Sequence, residues 1–214
     1  MTRSVLFSAV AVASLAFLLA QRSGTTGARL ATKPVPMLLL LAGLFLCGEP
    51  RDPVQRGLIA AGLVASLAGD VFLALPRDRF LAGLGSFLAA HLLYVGAFLR
   101  GIDAGSLRAA LPWTAGYAAA AVALAAWLLP ATGKLRGPVI GYAVAICAMC
   151  ASAAARGIAD GSWTAPVGAT LFLASDSILA IDRFRRPFAA AKPLLYVLYA
   201  GGQACITASA WAPG

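Results

Sequence analysis

The sequence predicts an all-α polytopic membrane protein, a transmembrane bundle of about eight helices joined by short loops. Of its 214 residues, 61% are hydrophobic and only 12% are charged. A soluble domain of this size cannot bury so much apolar surface, because a large share of a small domain is exposed. Several apolar stretches approach or exceed the roughly 20 residues that cross a bilayer. The period-2 alternation of barrel strands is absent, so the spans are predicted to be helices.

Eight spans form a single transmembrane domain over residues 1–214, at about 4–20, 35–48, 57–75, 80–99, 109–129, 137–155, 165–182 and 193–210. The first resembles a signal peptide, but it is long and another apolar segment follows it closely, so we expect an uncleaved helix. Proline or charge marks the other boundaries, because proline fits the first turn of a helix and disfavours its interior. These markers are Lys33-Pro34, Glu49-Pro50, Leu75-Pro76, Leu129-Pro130, Gly137-Pro138, Arg186-Pro187 and Lys192-Pro193.

The net charge of +9 comes from Lys and Arg residues that fall almost entirely between the apolar segments. We therefore expect charges that set the topology, and no binding of nucleic acid. The even-numbered loops and the N-terminal tail hold six basic residues, whereas the odd-numbered loops hold eleven. The positive-inside rule places the odd loops in the cytoplasm and both termini outside, in a plasma membrane such as a bacterial inner membrane. The eleven are Arg22, Arg29, Lys33, Arg77, Arg79, Lys134, Arg136, Arg183, Arg185, Arg186 and Lys192.

Four cysteines, Cys47, Cys147, Cys150 and Cys205, lie in or at the ends of apolar segments. Cys147 and Cys150 have CxxC spacing, but neither a second such pair nor a neighbouring histidine completes a zinc site. We therefore expect all four to be packing residues, with no disulfide framework.

Two aspartates interrupt the apolar spans. An ionisable side chain in the middle of a membrane costs at least ~2.5–3.5 kcal/mol and is by default a functional candidate. Asp70 and Asp176 each follow a glycine by eight residues and precede a Leu-Ala pair by three, a pattern that suggests an internal repeat. At ~1.5 Å per residue, Asp70 lies ~9 Å and Asp176 ~10 Å inside the predicted helix ends, so the two carboxyls are expected to meet.

A second polar set lies slightly deeper in the predicted bundle. His91, the only histidine, shares one helical face with Phe87 and Tyr94, and Tyr199 shares a face with Gln203. By the same estimate, His91 and Gln203 lie ~16 Å from the cytoplasmic side. Each residue alone could simply bond a neighbouring helix, as membrane polar residues often do. The glycines Gly62, Gly69, Gly83 and Gly168 are expected to be close-packing positions.

These motifs, in this order, resemble the YhhN family, the lysoplasmalogenases. The resemblance rests on Lys33-Pro34-Val-Pro36-Met, Ser66-Leu-Ala-Gly69-Asp70, the Gly83–Phe98 face with His91, Phe172-Leu-Ala-Ser175-Asp176, and Tyr199 with Gln203. It implies hydrolysis, within the membrane and without cofactor or metal, of the vinyl ether bond of a lysophospholipid. The products would be a fatty aldehyde and glycerophosphocholine or glycerophosphoethanolamine.

The resemblance also implies roles for residues. Asp70 and Asp176 would form a catalytic pair that shares one proton, because two close carboxyls in a low dielectric resist ionising together. Which of them is the acid stays open, and His91 would orient water or bind phosphate. The predicted substrate-binding residues are Ser66, Phe87, Tyr94, Ser175, Tyr199, Gln203, Lys33 and Lys192.

Two other functions fit part of the pattern. A transporter or channel also uses intramembrane carboxylates as proton or ion sites. A metal-dependent membrane hydrolase of the ceramidase kind needs several histidine ligands, and this chain has one. Head-group preference and oligomeric state do not follow from the sequence.

Overall fold

The structure is a computed structural model that describes residues 2–22, 26–75 and 79–211. Within those residues the chain forms ten α-helices, and two short 3-10 turns, Leu129–Ala131 and Gly133–Leu135, join the seventh to the eighth. The predicted all-α bundle is therefore confirmed. The helices are α1 (Arg3–Arg22), α2 (Thr26–Thr32), α3 (Val35–Leu46), α4 (Pro53–Ala74), α5 (Phe80–Leu99), α6 (Ala104–Ala109), α7 (Leu111–Leu128), α8 (Arg136–Asp160), α9 (Thr164–Phe184) and α10 (Ala191–Ala208).

Seven helical segments of the described chain are long and apolar enough to cross a membrane. The eighth predicted span, 193–210, is α10, which has 18 residues but contains Lys192 and Gln203. These polar residues lower the mean hydropathy of α10, so its composition is less typical of a membrane span than that of the seven segments. The seven segments are Arg3–Arg22, Gly27–Leu46, Pro53–Ala74, Phe80–Leu99, Leu111–Ala131, Gly133–Asp160 and Thr164–Phe184.

The second span is longer than predicted. It was expected over 35–48, but the apolar helical segment runs over Gly27–Leu46, with a turn at Lys33-Pro34 between α2 and α3. Arg29 and Lys33, expected as loop charges, therefore lie within it. The helix can resume directly after Lys33 because proline is tolerated in a first turn. Pro76, Arg77 and Asp78, in the predicted loop after the third span, lie outside the described residues.

The predicted span 137–155 places Arg156 in the loop that follows it, and this was wrong. Helix α8 continues to Asp160 and ends at Gly161, whose φ of 61° suits a glycine C-cap. The buried Arg156 side chain donates to the carbonyl oxygens of Phe98, at 3.1 Å, and Arg100, and lies 3.3 Å from the Asp160 carboxylate. These bonds tie the end of α8 to the end of α5.

The aspartate-bearing helices α4 and α9 each pack most extensively against the helix that follows them, α5 and α10. A Cβ on Gly62 would overlap the ring of Tyr94 on α5, and one on Gly168 would lie 2.9 Å from the carbonyl oxygen of Gly202 on α10. Both glycines stand eight residues before an aspartate. Their close-packing role is confirmed, and the matched positions agree with the predicted internal repeat.

Helix α7 lies at the edge of the bundle. Only Leu128 among its residues is buried, whereas Val122 and Trp127 are exposed. A helix that is apolar on all sides yet largely uncovered is suited to contact with lipid. The site-bearing helices α4, α5, α9 and α10 instead contribute many of the buried side chains of the core.

Candidate functional site

A cavity of about 340 Å³ opens at the end of the bundle where α1, α4 and α9 finish and α10 begins. Its wall contains both aspartates. Five of the other nine predicted site residues also line this wall. They are Lys33, Phe87, Ser175, Lys192 and Tyr199. The wall thus combines carboxyl, cationic and aromatic side chains contributed by several helices.

Asp70 lies close to the end of α4, with an exposed fraction of 6%. The helix ends at Ala74, so the carboxyl is ~6 Å from the end rather than the expected ~9 Å. The Tyr199 hydroxyl donates a hydrogen bond of 2.8 Å to its Oδ2. The Lys33 Nζ lies 3.2 Å from its Oδ1 and donates to its backbone carbonyl oxygen at 3.1 Å. Asp70 is therefore held from α10 and from the turn between α2 and α3.

Asp176 lies about two turns inside the end of α9. The Tyr142 hydroxyl, on α8, donates a hydrogen bond to its Oδ2, and the His91 Nε2 lies 3.6 Å from the same oxygen. Asp70 and Asp176 share the cavity, but no hydrogen bond joins the two carboxyls in the described part of the chain. The site therefore consists of two carboxyl–tyrosine pairs that face one space.

His91 lies behind Asp176 and outside the cavity wall. Its side chain is fully buried, and neither ring nitrogen has a hydrogen-bond partner among the described residues. The rings of Tyr142 and Phe172 contact it edge to face, with centroids 4.9 Å and 4.8 Å away. The imidazole can therefore influence Asp176, but it does not line the cavity.

The remaining predicted binding residues form a layer behind the cavity. Tyr94 donates a hydrogen bond of 2.7 Å to Oε1 of Gln203, and both side chains are fully buried, as is Ser66. None of the three lines the cavity. Ser175, which does, donates from its hydroxyl to the carbonyl oxygen of Leu195 at 3.0 Å and so joins α9 to α10.

Sequence reasoning missed two residues of the site. Tyr142 holds Asp176, yet a tyrosine in an apolar span is an ordinary packing residue, so the sequence gives no signal for it. Arg29 lines the cavity mouth and is exposed. It stands four residues before Lys33, about one helical turn away, but the sequence predicted a loop there, where that spacing carries no signal.

Two small apolar pockets adjoin the cavity at Asp176. Their volumes are about 50 Å³ and 70 Å³, and both also touch Tyr142 and Val139. Leu73, Leu84 and Phe184 line the smaller one. Asp176 therefore lies where a cavity with charged walls meets apolar space between helices.

The arrangement can move protons. Two carboxyls that share a cavity can donate one proton and accept another in a single reaction. No group of three or more His, Cys, Asp or Glu side chains that could hold a metal ion occurs among the described residues. The four cysteines are free.

The YhhN family model matches residues 28–210, a range that contains both aspartates, both tyrosines that hold them, and Lys33. The uncharacterized membrane proteins YhhN of Escherichia coli O6:H1, Escherichia coli O157:H7 and Shigella flexneri are each 40% identical to the chain over 92 residues. The aligned part covers 42% of the chain and 43% of the length of each relative. No solved structure matches the chain.

Proposed function

The chain belongs to the YhhN family of membrane proteins, and on that premise we propose that it hydrolyses the vinyl ether bond of lysoplasmalogens within the membrane. The single observation that carries the proposal is the shared cavity of Asp70 and Asp176, each carboxyl held by a tyrosine hydroxyl. The products would be a fatty aldehyde and glycerophosphocholine or glycerophosphoethanolamine. Water is the only co-substrate of this reaction, and we expect it to need no cofactor.

The charge and polarity of the cavity suit a single-chain phospholipid. Arg29 and Lys192 are exposed cations in its wall, where a phosphate group would arrive from the membrane surface. Leu73 and Leu179 line its apolar part, which continues into the small pockets beside Asp176. A lysoplasmalogen with its phosphate near the cations and its alkyl chain along the leucines would place its vinyl ether near the aspartates.

The chemistry requires an acid and a base in one place. A vinyl ether is hydrolysed when its β-carbon takes a proton, which leaves an oxocarbenium ion at the adjacent carbon. Water adds to that carbon and loses a proton, and the resulting hemiacetal collapses to the aldehyde and the alcohol. A protonated carboxyl can supply the first proton, and a carboxylate can stabilise the cation and accept the proton from water.

The other predicted site residues divide by position in this proposal. Phe87 and Ser175, which line the cavity, would contact the substrate. Ser66, Tyr94 and Gln203 would support the wall from behind, because their side chains are fully buried. His91 would influence the carboxyl of Asp176, because its Nε2 lies 3.6 Å from Oδ2. The cavity would open to the cytoplasm if the odd loops follow the positive-inside rule.

Aldehyde release tests the proposal directly. Purified protein in lipid vesicles is expected to convert 1-alkenyl lysophospholipid into fatty aldehyde, and EDTA is expected to leave the rate unchanged. The matched control substrate is the saturated 1-alkyl ether with the same head group, which has no β-carbon that can take a proton and is expected to yield nothing. Flux of an ion or substrate across the vesicle without any aldehyde would favour the transporter alternative and contradict the hydrolase.

A further inference from the structure

Asp70 and Asp176 have different electrostatic surroundings in the cavity. Asp70 lies 3.2 Å from the Lys33 ammonium and accepts the Tyr199 hydroxyl proton in a hydrogen bond. Asp176 has the Tyr142 hydroxyl and the His91 ring instead, and no lysine or arginine of the described chain forms an ion pair with it. The two segments of the internal repeat therefore carry aspartates whose partners differ in charge.

Lys33 can neutralise Asp70. Its side chain is 20% exposed and that of Asp70 is 8% exposed, so both groups are largely withdrawn from water. An isolated buried charge is costly, whereas a paired ammonium and carboxylate compensate each other. With Lys33 charged, the carboxylate form of Asp70 completes a neutral pair, and a second carboxylate at Asp176 would add an uncompensated negative charge to the same cavity.

His91 does not supply the missing positive charge. An imidazolium carries two N–H donors, and each of them needs an acceptor when it is buried. Both ring nitrogens of His91 lack hydrogen-bond partners among the described residues, and aromatic rings flank the side chain. The imidazole is therefore neutral beside Asp176. The other ionisable side chains in the wall are Arg29, Asp182, Lys192 and Tyr196, of which Arg29 and Lys192 are exposed at the mouth.

We propose that Lys33 assigns the two catalytic roles: it holds Asp70 as the carboxylate base, and Asp176 is the protonated acid. This inference rests on the proposed hydrolase function and deepens it. Lys33 is then a positioning residue that acts through Asp70, rather than a substrate-binding residue as the resemblance implied. The phosphate is left to Arg29 and Lys192.

The assignment balances over one turnover. Asp176 gives its proton to the β-carbon as the C=C π pair forms the new C–H bond. Asp70 takes a proton from the water whose oxygen bonds to the oxocarbenium carbon. In the collapse of the hemiacetal, Asp70 returns that proton to the departing glycerol oxygen as the C–O bond breaks, and Asp176 takes the hemiacetal hydroxyl proton. Both carboxyls are thereby restored, and one water has been consumed.

Infrared spectroscopy of the purified protein tests the assignment without any substrate. At neutral pH the wild type is expected to show the C=O stretch of one buried protonated carboxyl, and Asp176→Asn is expected to lack it. Lys33→Met is expected to show a second such band, from Asp70, and Lys33→Met combined with Asp70→Asn is expected to lose that added band. The absence of any such band in the wild type, its persistence in Asp176→Asn, or an unchanged spectrum in Lys33→Met would each overturn the proposal.

The pH profile of aldehyde release gives a second readout. Asp70 acts as a carboxylate, and without the Lys33 ammonium a higher pH is needed to ionise it. Lys33→Met is therefore expected to move the acid limb of the kcat–pH profile upward by at least about one pH unit. Lys33→Arg, which keeps the charge, is expected to restore the wild-type limb, and Lys134→Met, outside the cavity, to leave it unmoved. A lower rate with an unshifted limb would reduce Lys33 to a structural role. If the wild type released no aldehyde, the proposed function would fail while the infrared result still decided the charge assignment.

Discussion

Asp176→Asn and Asp70→Asn should each lower kcat for aldehyde release by about 10²–10⁴-fold, the range that a general acid or base contributes. Asparagine has nearly the same shape as aspartate, and its carbonyl oxygen can still accept the hydrogen bond from Tyr142 or Tyr199. The fold is therefore expected to remain while proton transfer is lost. The measurement is the rate of aldehyde formation by purified variants, with thermal unfolding in detergent recorded for each.

Asp103→Asn is the matched control for these two variants. Asp103 caps α6 outside the cavity, where its carboxylate accepts from the Ser106 backbone N–H at 2.9 Å. Hydrogen bonds from Ser106 hold the pKa of Asp103 below its ordinary value. Asparagine is an equally good cap, so the wild-type rate is expected. Wild-type rates in both Asp70→Asn and Asp176→Asn would refute the catalytic pair.

Gly168→Ala should lower the free energy of unfolding by about 1–3 kcal/mol. The added Cβ would lie 2.8 Å from the backbone nitrogen of Ile206 and 2.9 Å from the carbonyl oxygen of Gly202, both on α10. Backbone atoms cannot rotate away as a side chain can, so α9 and α10 must separate. Asp176 and Tyr199 lie on these two helices, and we therefore expect activity to fall as well.

Gly201→Ala provides the comparison, since it makes the same chemical change on α10. Its Cβ would meet Leu171 Cδ1 at 3.6 Å, an ordinary van der Waals distance. Unfolding of both variants by heat or SDS, monitored by circular dichroism, measures the difference. Equal stability of Gly168→Ala and Gly201→Ala would show that the close approach of α9 to α10 does not limit stability.

The apolar pattern was sufficient to predict eight of the ten described helices, because lipid requires long apolar segments and leaves few alternatives. The short helices α2 and α6 were not predicted. The pattern was less reliable for Arg29 and Lys33. In the sequence both residues resemble loop charges. The partner that compensates Lys33 is Asp70, which lies 37 residues further along the chain. A compensating contact between distant helices cannot be read from local composition. Arg156 was misplaced for the same reason, as its acceptors include carbonyl groups on α5 and just beyond it.

The candidate site was predicted in part. Asp70 and Asp176 were identified by the cost of a charge in lipid, and the structure places both in one cavity. His91 and Gln203, expected slightly deeper than the aspartates, lie behind the cavity wall. The rise per residue estimates depth along a helix, but the direction in which a side chain points also depends on how each helix is rotated against its neighbours. That rotation is fixed by packing, as at Gly62 against Tyr94.

Isotope incorporation during turnover in D₂O tests whether a carboxyl protonates the vinyl ether carbon. If a carboxyl protonates the vinyl ether carbon, the fatty aldehyde must carry one solvent deuterium on carbon 2. The aldehyde is reduced to the alcohol as it forms, which prevents later exchange, and is then analysed by mass spectrometry beside unlabelled aldehyde treated in the same way. Protonation by a carboxyl predicts one deuterium per product molecule on that carbon. Aldehyde released without deuterium at carbon 2 would contradict it.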